Sequence, residues 1–155
     1  MTAVKQCEER VVGDRELDGL LDGAFAELVG RYGREGRSQV KEGARYLVVL
    51  GEGGVAVGCG AVQAFGVESE HAGDGELKRM YVVPAARGRG YARALLAGLE
   101  ELALAGGHPV LRLATGELQP EAIALYESSG YVRTASWGKY VDQPLTRCYA
   151  KMLVR

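Results

Sequence analysis

Apolar positions recur along this chain with two different periods, and those periods predict its helices and strands. From Glu16 to Val29, apolar residues fall every three or four positions on one stripe, which predicts an amphipathic helix. Tyr46 to Leu50 and Val55 to Phe65 are rich in β-formers, and Gly51-Glu52-Gly53-Gly54 between them predicts a hairpin turn. Thr2 to Cys7 is also expected to be a strand.

The second half of the chain alternates strands with helices. Predicted strands run over Glu76 to Val83, Val110 to Ala114, Tyr131 to Thr134 and Arg147 to Leu153, and predicted helices run from about Gly90 to Ala105 and from Pro120 to Ser129. The polar, glycine-containing segment from Gly30 to Gly43 is expected to be a mobile connector. Since no repeat or linker is visible, this order predicts one α/β domain over residues 1–155 with a mixed sheet.

Composition excludes several classes of protein. The 155 residues include 19 basic and 20 acidic side chains, a net charge of −1, which leaves no overall basic surface for nucleic acid. No run of about 18 apolar residues could span a bilayer, and the N-terminus lacks the apolar core of a secretory signal. We therefore expect a soluble, cytoplasmic protein with no nucleic-acid or membrane partner.

The cysteines and histidines give no sign of a metal or nucleophile site. Cys7, Cys59 and Cys148 are far apart, none has a nearby histidine, and no pair has the spacing of a zinc site. His71 and His108 have no visible partner in the pattern. We predict that the cysteines are reduced and mainly serve as small apolar residues, and that no metal is bound.

A turn of glycines and arginines links the predicted strand ending at Val83-Pro84 to the helix that begins near Tyr91. In Arg87-Gly88-Arg89-Gly90, the glycines admit a ligand close to the backbone, and the arginines offer planar donor groups suited to phosphate. The first N–H groups of a helix have no intrahelical partner, and the helix dipole adds about half a positive charge there. The turn therefore predicts a site for a phosphate-bearing ligand.

Two other phosphate-binding turns do not fit this segment. A P-loop requires Gly-Lys-Ser or Gly-Lys-Thr, which does not follow here. A dinucleotide-binding turn needs a third glycine for close packing of helix and strand, but Gly88 and Gly90 are followed by Arg93 at that position. An ordinary turn with solvated arginines would explain the glycines but not the whole ordered arrangement.

The turn resembles the acyl-CoA-binding motif of the GNAT superfamily of N-acetyltransferases, Gln/Arg-x-x-Gly-x-Gly/Ala. Arg87, Gly90 and Ala92 match its defined positions, and the apolar strand ending in Val83-Pro84 matches the strand that precedes it. The resemblance extends over most of the chain from Glu76 onward.

A second GNAT segment, Asn-x-x-Ala-Ile-x-Leu-Tyr-Glu-x-x-Gly-Phe, resembles the stretch from Gln119 to Tyr131. Its two end positions depart from the pattern, with Gln in place of Asn and Tyr in place of Phe, which affects one polar contact to the cofactor arm. Together the two motifs imply a single-domain GNAT-like α/β fold with a mixed, mostly antiparallel central sheet flanked by helices.

The resemblance implies that acetyl-CoA is the co-substrate and that a neutral primary amine attacks its thioester carbonyl directly, within a ternary complex. The acceptor could be a small amine, an amino acid, an antibiotic or an amine of a peptide. The protein could be a monomer or a homodimer. The alternative is a non-catalytic acyl-CoA-binding or regulatory module, which would keep the phosphate site and lack an acceptor site.

The implied cofactor contacts come from the end of the strand, the turn, the start of the helix and the second segment. These residues are Val82, Val83, Arg87, Gly88, Arg89, Gly90, Tyr91, Ala92, Arg93, Gln119 and Tyr126. Backbone groups of the valines are expected to pair with the pantetheine arm, and amides of the turn to hold the pyrophosphate. The arginine side chains are either phosphate ligands or solvated charges.

Tyr126 is the implied general acid, because the matching tyrosine of the superfamily lies beside the CoA sulfur. A phenol with a pKa of about 10 is protonated at pH 7, as an acid must be. The alternative is that Tyr126 only packs with Ile123 on the buried face of its helix.

Glu76 is the candidate base, directly or through water, since only about one in 10³ lysine-like amines is neutral at pH 7. A glutamate at this register has that role in the histone-acetylating branch of the superfamily. Strand alternation is expected to place Glu76 on the same face as Lys78 and Met80. The alternative is a solvated glutamate at the start of the strand, and Lys78 would weaken Glu76 as a base by lowering its pKa.

The acceptor pocket is expected around Glu27, Tyr32 and Glu35 and at the late loop from Ser136 to Asp142, which contains Trp137 and Tyr140. The two aromatic residues of the loop either form a wall of the pocket or fasten the loop to the core.

Overall fold

In the part of the chain that the structure describes, seven strands form one open sheet with helices on both of its faces. The computed structural model describes residues 5–33 and 40–153. Its strands are β1 (Cys7–Arg10), β2 (Arg45–Leu50), β3 (Ala56–Ala64), β4 (Gly75–Val82), β5 (Val110–Gly116), β6 (Val132–Thr134) and β7 (Thr146–Met152), and its helices are α1 (Arg15–Tyr32), α2 (Tyr91–Ala105) and α3 (Pro120–Ser128). The sheet order is β1-β2-β3-β4-β5-β7-β6, and every neighbouring pair is antiparallel except β4 and β5. The predicted α/β fold with a mixed, mostly antiparallel sheet is confirmed.

The two longer helices cover opposite faces of the sheet. Leu99 of α2 is fully buried in a cluster with Leu47 of β2, whereas Leu17 of α1 is fully buried in a cluster with Val48. Because successive residues of a strand point to opposite faces, Leu47 and Val48 anchor the two layers from adjacent positions. The apolar stripe predicted for the first helix therefore does face the sheet.

The first strand lies later than its sequence suggests. Thr2 to Cys7 was the expected range, but β1 begins at Cys7, and residues 1–4 lie outside the described part. The strand contains charged residues because it is an edge strand whose side chains find partners. Arg45 of β2 donates from Nε and Nη2 to the two carboxylate oxygens of Glu9, both at 2.8 Å.

Strands β4 and β5 separate soon after they meet. They pair only at Gly75 with Leu111 and at Glu76 with Arg112, and beyond these positions no pairing joins them in the described chain. The divergence leaves the sheet open between its two halves.

A β-bulge interrupts β4 next to this opening. Lys78 lies opposite Ala61 and Tyr81 opposite Cys59, so two residues of β4 face the single residue between them on β3. Arg79 at the bulge has a φ of 60°, a left-handed conformation that is uncommon outside glycine. The extra residue reverses the side-chain alternation from that point onward.

The bulge overturns one prediction from strand alternation. Glu76 and Lys78 do share a face, and their side chains are 3.3 Å apart. Met80 instead packs in the cluster that contains Leu77 and Leu99, on the α2 side of the sheet. The expectation that Met80 lies on the same face as Glu76 is wrong, because the bulge inserts one residue between them.

Candidate active site

A cavity of about 1070 Å³ occupies the opening between β4 and β5. Its walls are residues 77–82 of β4 and 113–116 of β5, the second half of α1, the beginning of α2, one side of α3 and the segment that follows Lys139. One end lies at the N-terminus of α2, and the other end lies near the 3-10 turn Gly138–Asp142.

The glycine turn leaves backbone amides open to this cavity. Gly88 and Gly90 have φ values of 77° and 86°, and a Cβ at Gly88 would meet nothing within 4 Å. The N–H of Ala94 is the first to close a helical hydrogen bond, to the carbonyl of Gly90 at 3.1 Å, and no side chain caps the helix. The preceding amides have no acceptor within the helix, so the turn fits the pyrophosphate of a CoA-type ligand.

The arginines of the turn are engaged with the protein. Arg87 donates from Nε to the carbonyl of Val82 (2.8 Å) and from Nη2 to Glu27 (2.7 Å), which fastens the turn to β4 and α1. Arg93 donates to the hydroxyls of Ser128 and Ser129. These guanidinium groups therefore position the turn and α3.

Two of the predicted cofactor residues, Val83 and Arg89, do not line this cavity. The others all do: Val82, Arg87, Gly88, Gly90, Tyr91, Ala92, Arg93, Gln119 and Tyr126. Val83 and Arg89 line a separate hollow of about 230 Å³ beside the turn. The N–H of Val83 donates to the carbonyl of Val57 at 2.9 Å, and a backbone contact of Val83 with a pantetheine arm stays a prediction.

Sequence reasoning missed a cation at the turn. Lys5 extends across the start of α2, with Nζ 5.1 Å from the ring centroid of Tyr91 and 3.8 Å from the position of a Cβ on Gly90. An ammonium group beside a helix N-terminus faces charge of its own sign, which an anion bound there would relieve. The distance between Lys5 and the turn in sequence hides this proximity.

Tyr126 both packs in the core and lines the cavity. Its ring lies edge-on to Tyr131 with centroids 5.8 Å apart, and the side chain is 5% exposed. Burial raises the pKa of Tyr126 above its usual value, so the phenol stays protonated near neutral pH. This is the protonation state that a proton donor requires.

Glu76 lies behind the cavity wall and not on it. Its carboxylate accepts a hydrogen bond from Nε2 of Gln63 (3.0 Å) and lies 3.3 Å from Nζ of Lys78. Lys78 lines the cavity and donates to the hydroxyl of Tyr140 at 2.8 Å. The alternative of a solvated glutamate is wrong, because Glu76 is 5% exposed, and Lys78 lines the cavity whereas Glu76 does not.

Only some of the residues expected around an acceptor pocket line the cavity. Glu27, Tyr32 and Tyr140 line the cavity, whereas Glu35 lies outside the described residues. Trp137 is 7% exposed and packs edge-on against Phe65, His71 and Tyr140, so it fastens the loop to the core.

Three cations also line this end, namely Lys78, Arg79 and Lys139, of which only Lys139 belongs to the late loop that the sequence predicts at the acceptor pocket. None of the chain's three cysteines lines the cavity. Within the described residues there is no group of three or more metal-ligating side chains and no helix that is long and apolar enough to cross a membrane.

A sequence model for a family described as the acetyltransferase (GNAT) family matches residues 17–131, a range that includes the glycine turn at one end of the cavity and ends before the turn Gly138–Asp142 near the other. The chain belongs to the GNAT acetyltransferase family. Its predicted membership is thereby confirmed, and the family assigns the chain to the N-acetyltransferases.

Individual GNAT relatives agree with this assignment. The chain is 41% identical over 109 residues to a protein of Azospirillum brasilense named IAA acetyltransferase. The aligned region covers 70% of this chain and 68% of that protein. A crystal structure from Klebsiella pneumoniae, of a protein assigned as an acyl-CoA N-acyltransferase, matches with a TM-score of 0.78 and 32% identity over 98% of this chain and 99% of the other.

A more distant GNAT structure holds the co-substrate. The phosphinothricin acetyltransferase of Sinorhizobium meliloti, crystallised in complex with acetyl-CoA, matches with a TM-score of 0.74 and 21% identity over 98% of this chain and 90% of the other. At that identity the likeness concerns the fold alone. GNAT neighbours of this fold thus bind acetyl-CoA.

Proposed function

We propose that this protein transfers the acetyl group of acetyl-CoA to a primary amine of a small-molecule or peptide acceptor. The single observation that carries the proposal is the continuous cavity between β4 and β5. It joins the open amides of the Gly88–Gly90 turn to Tyr126 and then to the polar group of Lys78 and Tyr140. One cavity thus offers a site for the donor, a proton donor and a separate site for an acceptor.

Residues at the α2 end would hold the CoA moiety. The amides from Gly88 to Ala92 would bind the pyrophosphate, with Lys5 as an additional cation. Val82 and Gln119 line the cavity, where the backbone of Val82 and the side chain of Gln119 would contact the pantetheine arm. Arg87 would act mainly by holding the turn against Glu27.

The chemistry is attack of the neutral amine on the thioester carbonyl, which forms an amide and releases the CoA thiol. Tyr126 would supply a proton or a hydrogen bond to the departing sulfur. Glu76 would act as base only through water or through Lys78, since it lies behind the wall. Direct transfer, without an acyl-cysteine intermediate, is supported by the absence of a cysteine from the cavity wall. Burial also raises the pKa of Cys59 to about 12, which disfavours the thiolate that such an intermediate would need.

We further propose that residues 1–155 act as a single acetyltransferase domain in the cytoplasm, as a monomer or homodimer. The three free cysteines suit a reducing compartment.

Binding and turnover test the proposed function separately. Acetyl-CoA at about 100 times its Kd should stabilise the protein by about 2.7 kcal/mol, which a thermal shift detects. No shift with millimolar acetyl-CoA or CoA would contradict the donor assignment. A screen of amines that follows CoA thiol release then separates the enzyme from a non-catalytic acyl-CoA-binding module, which would bind without amine-dependent turnover.

A further inference from the structure

Tyr32, the last residue of α1, bridges the opening between β4 and β5. Its hydroxyl accepts a hydrogen bond of 2.9 Å from the backbone N–H of Leu118, two residues beyond the end of β5. Helix α1 packs on the half of the sheet that contains β2, β3 and β4, so this bond joins the two diverging halves. Tyr32 and the residues on either side of Leu118, Gly116 and Gln119, all line the cavity. Tyr32 therefore spans the cavity along one of its sides.

Gly116, the last residue of β5, provides the space for this bridge. Its φ lies outside the left-handed region, so the backbone at this position would accept any residue. A Cβ on Gly116 would however overlap the hydroxyl and the ring of Tyr32. The ring of Tyr32 thus occupies the space that a side chain at Gly116 would need, and the two residues are matched to each other.

Both ends of the bridge are held by other contacts. On the side of α1, the carboxylate of Glu27 accepts a hydrogen bond of 2.7 Å from Arg87 of the glycine turn. On the other side, the N–H of Glu117 donates to the carbonyl of Leu145 at 2.7 Å, which fastens the end of β5 to the segment before β7. Because the bond of Tyr32 joins two fastened elements, its ring forms a fixed wall of the cavity.

The bridge lies on the face of the sheet from which an acceptor would enter. Tyr126 of α3 packs with α2 in the cluster that contains Leu77, on one face of the sheet. The next residue, Lys78, points to the opposite face, where it meets Tyr140 and where α1 lies. A donor held by α2 and α3 therefore leaves the α1 face to the acceptor, and Tyr32 covers part of that face.

On the basis of the proposed function, we propose that Tyr32, seated on Gly116, limits the size of the acceptor, and that the substrate is a small free amine which the cavity encloses. The cavity of about 1070 Å³ must also hold the arm of the donor. Since pockets for drug-sized ligands measure about 300–1,000 Å³, the remaining space suits an acceptor of small-molecule size. An amine of a peptide belongs to a chain that must leave the cavity, and the wall formed by Tyr32 would repel such a chain.

The first test compares acceptors of similar chemistry and different size. Each standard amino acid is offered beside the tripeptide that begins with it, together with simple alkyl and aryl amines, and release of the CoA thiol is measured. We expect the best acceptor to be a small amine, with kcat/KM roughly tenfold or more above that of every tripeptide. A tripeptide that equals or exceeds every small amine would overturn the inference. No turnover with any amine would instead contradict the proposed function, and the inference would fall with it.

Removal of the wall should relax the size limit. The best small acceptor is compared with the same compound extended, at the end away from its amine, by two alanine residues or by an alkyl chain of similar length. Tyr32→Ala should raise kcat/KM for the extended compound, relative to that for the small one, roughly tenfold or more. A variant that is merely less stable would lower both values alike, and an unchanged ratio would overturn the assignment.

A double-mutant cycle tests the contact between the two residues without any turnover. Gly116→Ala should lower the urea midpoint of the unmodified protein, because its Cβ displaces Tyr32, and should have little effect in Tyr32→Ala, where the space is free. Gly30→Ala is the control, since a Cβ there meets nothing within 4 Å and Gly30 lies outside the cavity wall, so it should have the same effect in both backgrounds. Equal effects of Gly116→Ala in the two backgrounds would overturn the inference, whether or not the proposed function holds.

Discussion

Glu76 and Lys78 form a buried ion pair, with 3.3 Å between carboxylate and ammonium and side chains that are 7% and 9% exposed. Gln63 and Tyr140 complete the hydrogen bonds of the two groups. Lys78 lines the cavity and Glu76 does not, so a substitution of Glu76 is expected to change stability whether or not Glu76 is the base.

The first prediction concerns the stability of this pair. Glu76→Gln should lower the free energy of unfolding by about 3 kcal/mol, because it leaves the ammonium of Lys78 buried without a counter-charge. Urea denaturation measures the change. The double variant Glu76→Gln/Lys78→Met, which removes both charges, should regain most of the loss, and a double variant as unstable as the single one would contradict the ion-pair explanation.

The same variants test the base. If Glu76 acts through water, both Glu76→Gln and the double variant should be slow, most of all at low pH where the neutral amine is scarcest, and should recover as the pH approaches the pKa of the amine. A pH–rate profile of each variant provides the measurement. Full activity of the double variant at low pH would show that Glu76 only balances the charge of Lys78.

The glycine turn at the proposed donor end of the cavity could be predicted from sequence because its information is local. Gly88 and Gly90 lie between a strand and a helix, and their left-handed φ values are those that such a turn requires. The acceptor end could not be predicted in the same way. Lys78 and Tyr140 meet from positions 62 residues apart, and only the folded chain brings them together.

The bulge in β4 is a second feature without a sequence signal. Arg79 adopts a φ of 60° although it is not a glycine, so its residue type does not mark the bulge. The prediction continued the two-residue alternation through Arg79 and therefore placed Met80 on the wrong face of the sheet. The contact of the Arg87 guanidinium with Glu27 also has no sequence signal, because the two residues are 60 positions apart. The assignment of Arg87 to phosphate rested on the turn alone.

A charge placed in the phosphate-binding turn should weaken the donor site. Gly90→Glu is expected to raise the Kd for CoA at least about tenfold, or about 1.4 kcal/mol, because a carboxylate would face the pyrophosphate. Isothermal titration measures the affinity. Gly107→Glu is the matched control, since Gly107 has nearly the same φ, 85° against 86°, and lies at the far end of α2. Equal effects of the two substitutions would assign the loss to backbone strain.

The cysteines should be inert in the folded protein. Burial raises the pKa of Cys59 to about 12, so its thiol stays almost entirely protonated at pH 8. Treatment with iodoacetamide at pH 8, followed by mass spectrometry, should leave Cys59 unmodified and activity unchanged, whereas urea should expose it to alkylation. Rapid alkylation of native Cys59 with loss of activity would instead support an acyl-cysteine route.

The last prediction separates catalysis from packing at Tyr126. Tyr126→Phe keeps the ring, which lies 5.8 Å from that of Tyr131, and removes only the hydroxyl. We expect CoA affinity to be nearly unchanged and kcat to fall roughly 10- to 10³-fold, because the hydroxyl is needed chiefly as charge develops on sulfur. Since burial raises the pKa of Tyr126, its proton should be retained across the neutral range, and its contribution should not titrate there.

Tyr131→Phe is the matched control for Tyr126→Phe. The hydroxyl of Tyr131 donates to Glu100 at 2.9 Å and lies outside the cavity wall, so its loss should reduce stability by about 1 kcal/mol and leave kcat intact. Steady-state kinetics must be measured where chemistry limits the rate, which single-turnover experiments establish. Full kcat in Tyr126→Phe under those conditions would limit Tyr126 to core packing, and the thiolate would then depart unassisted or through water. Equal losses of kcat in both variants would point to the shared ring packing and not to proton donation.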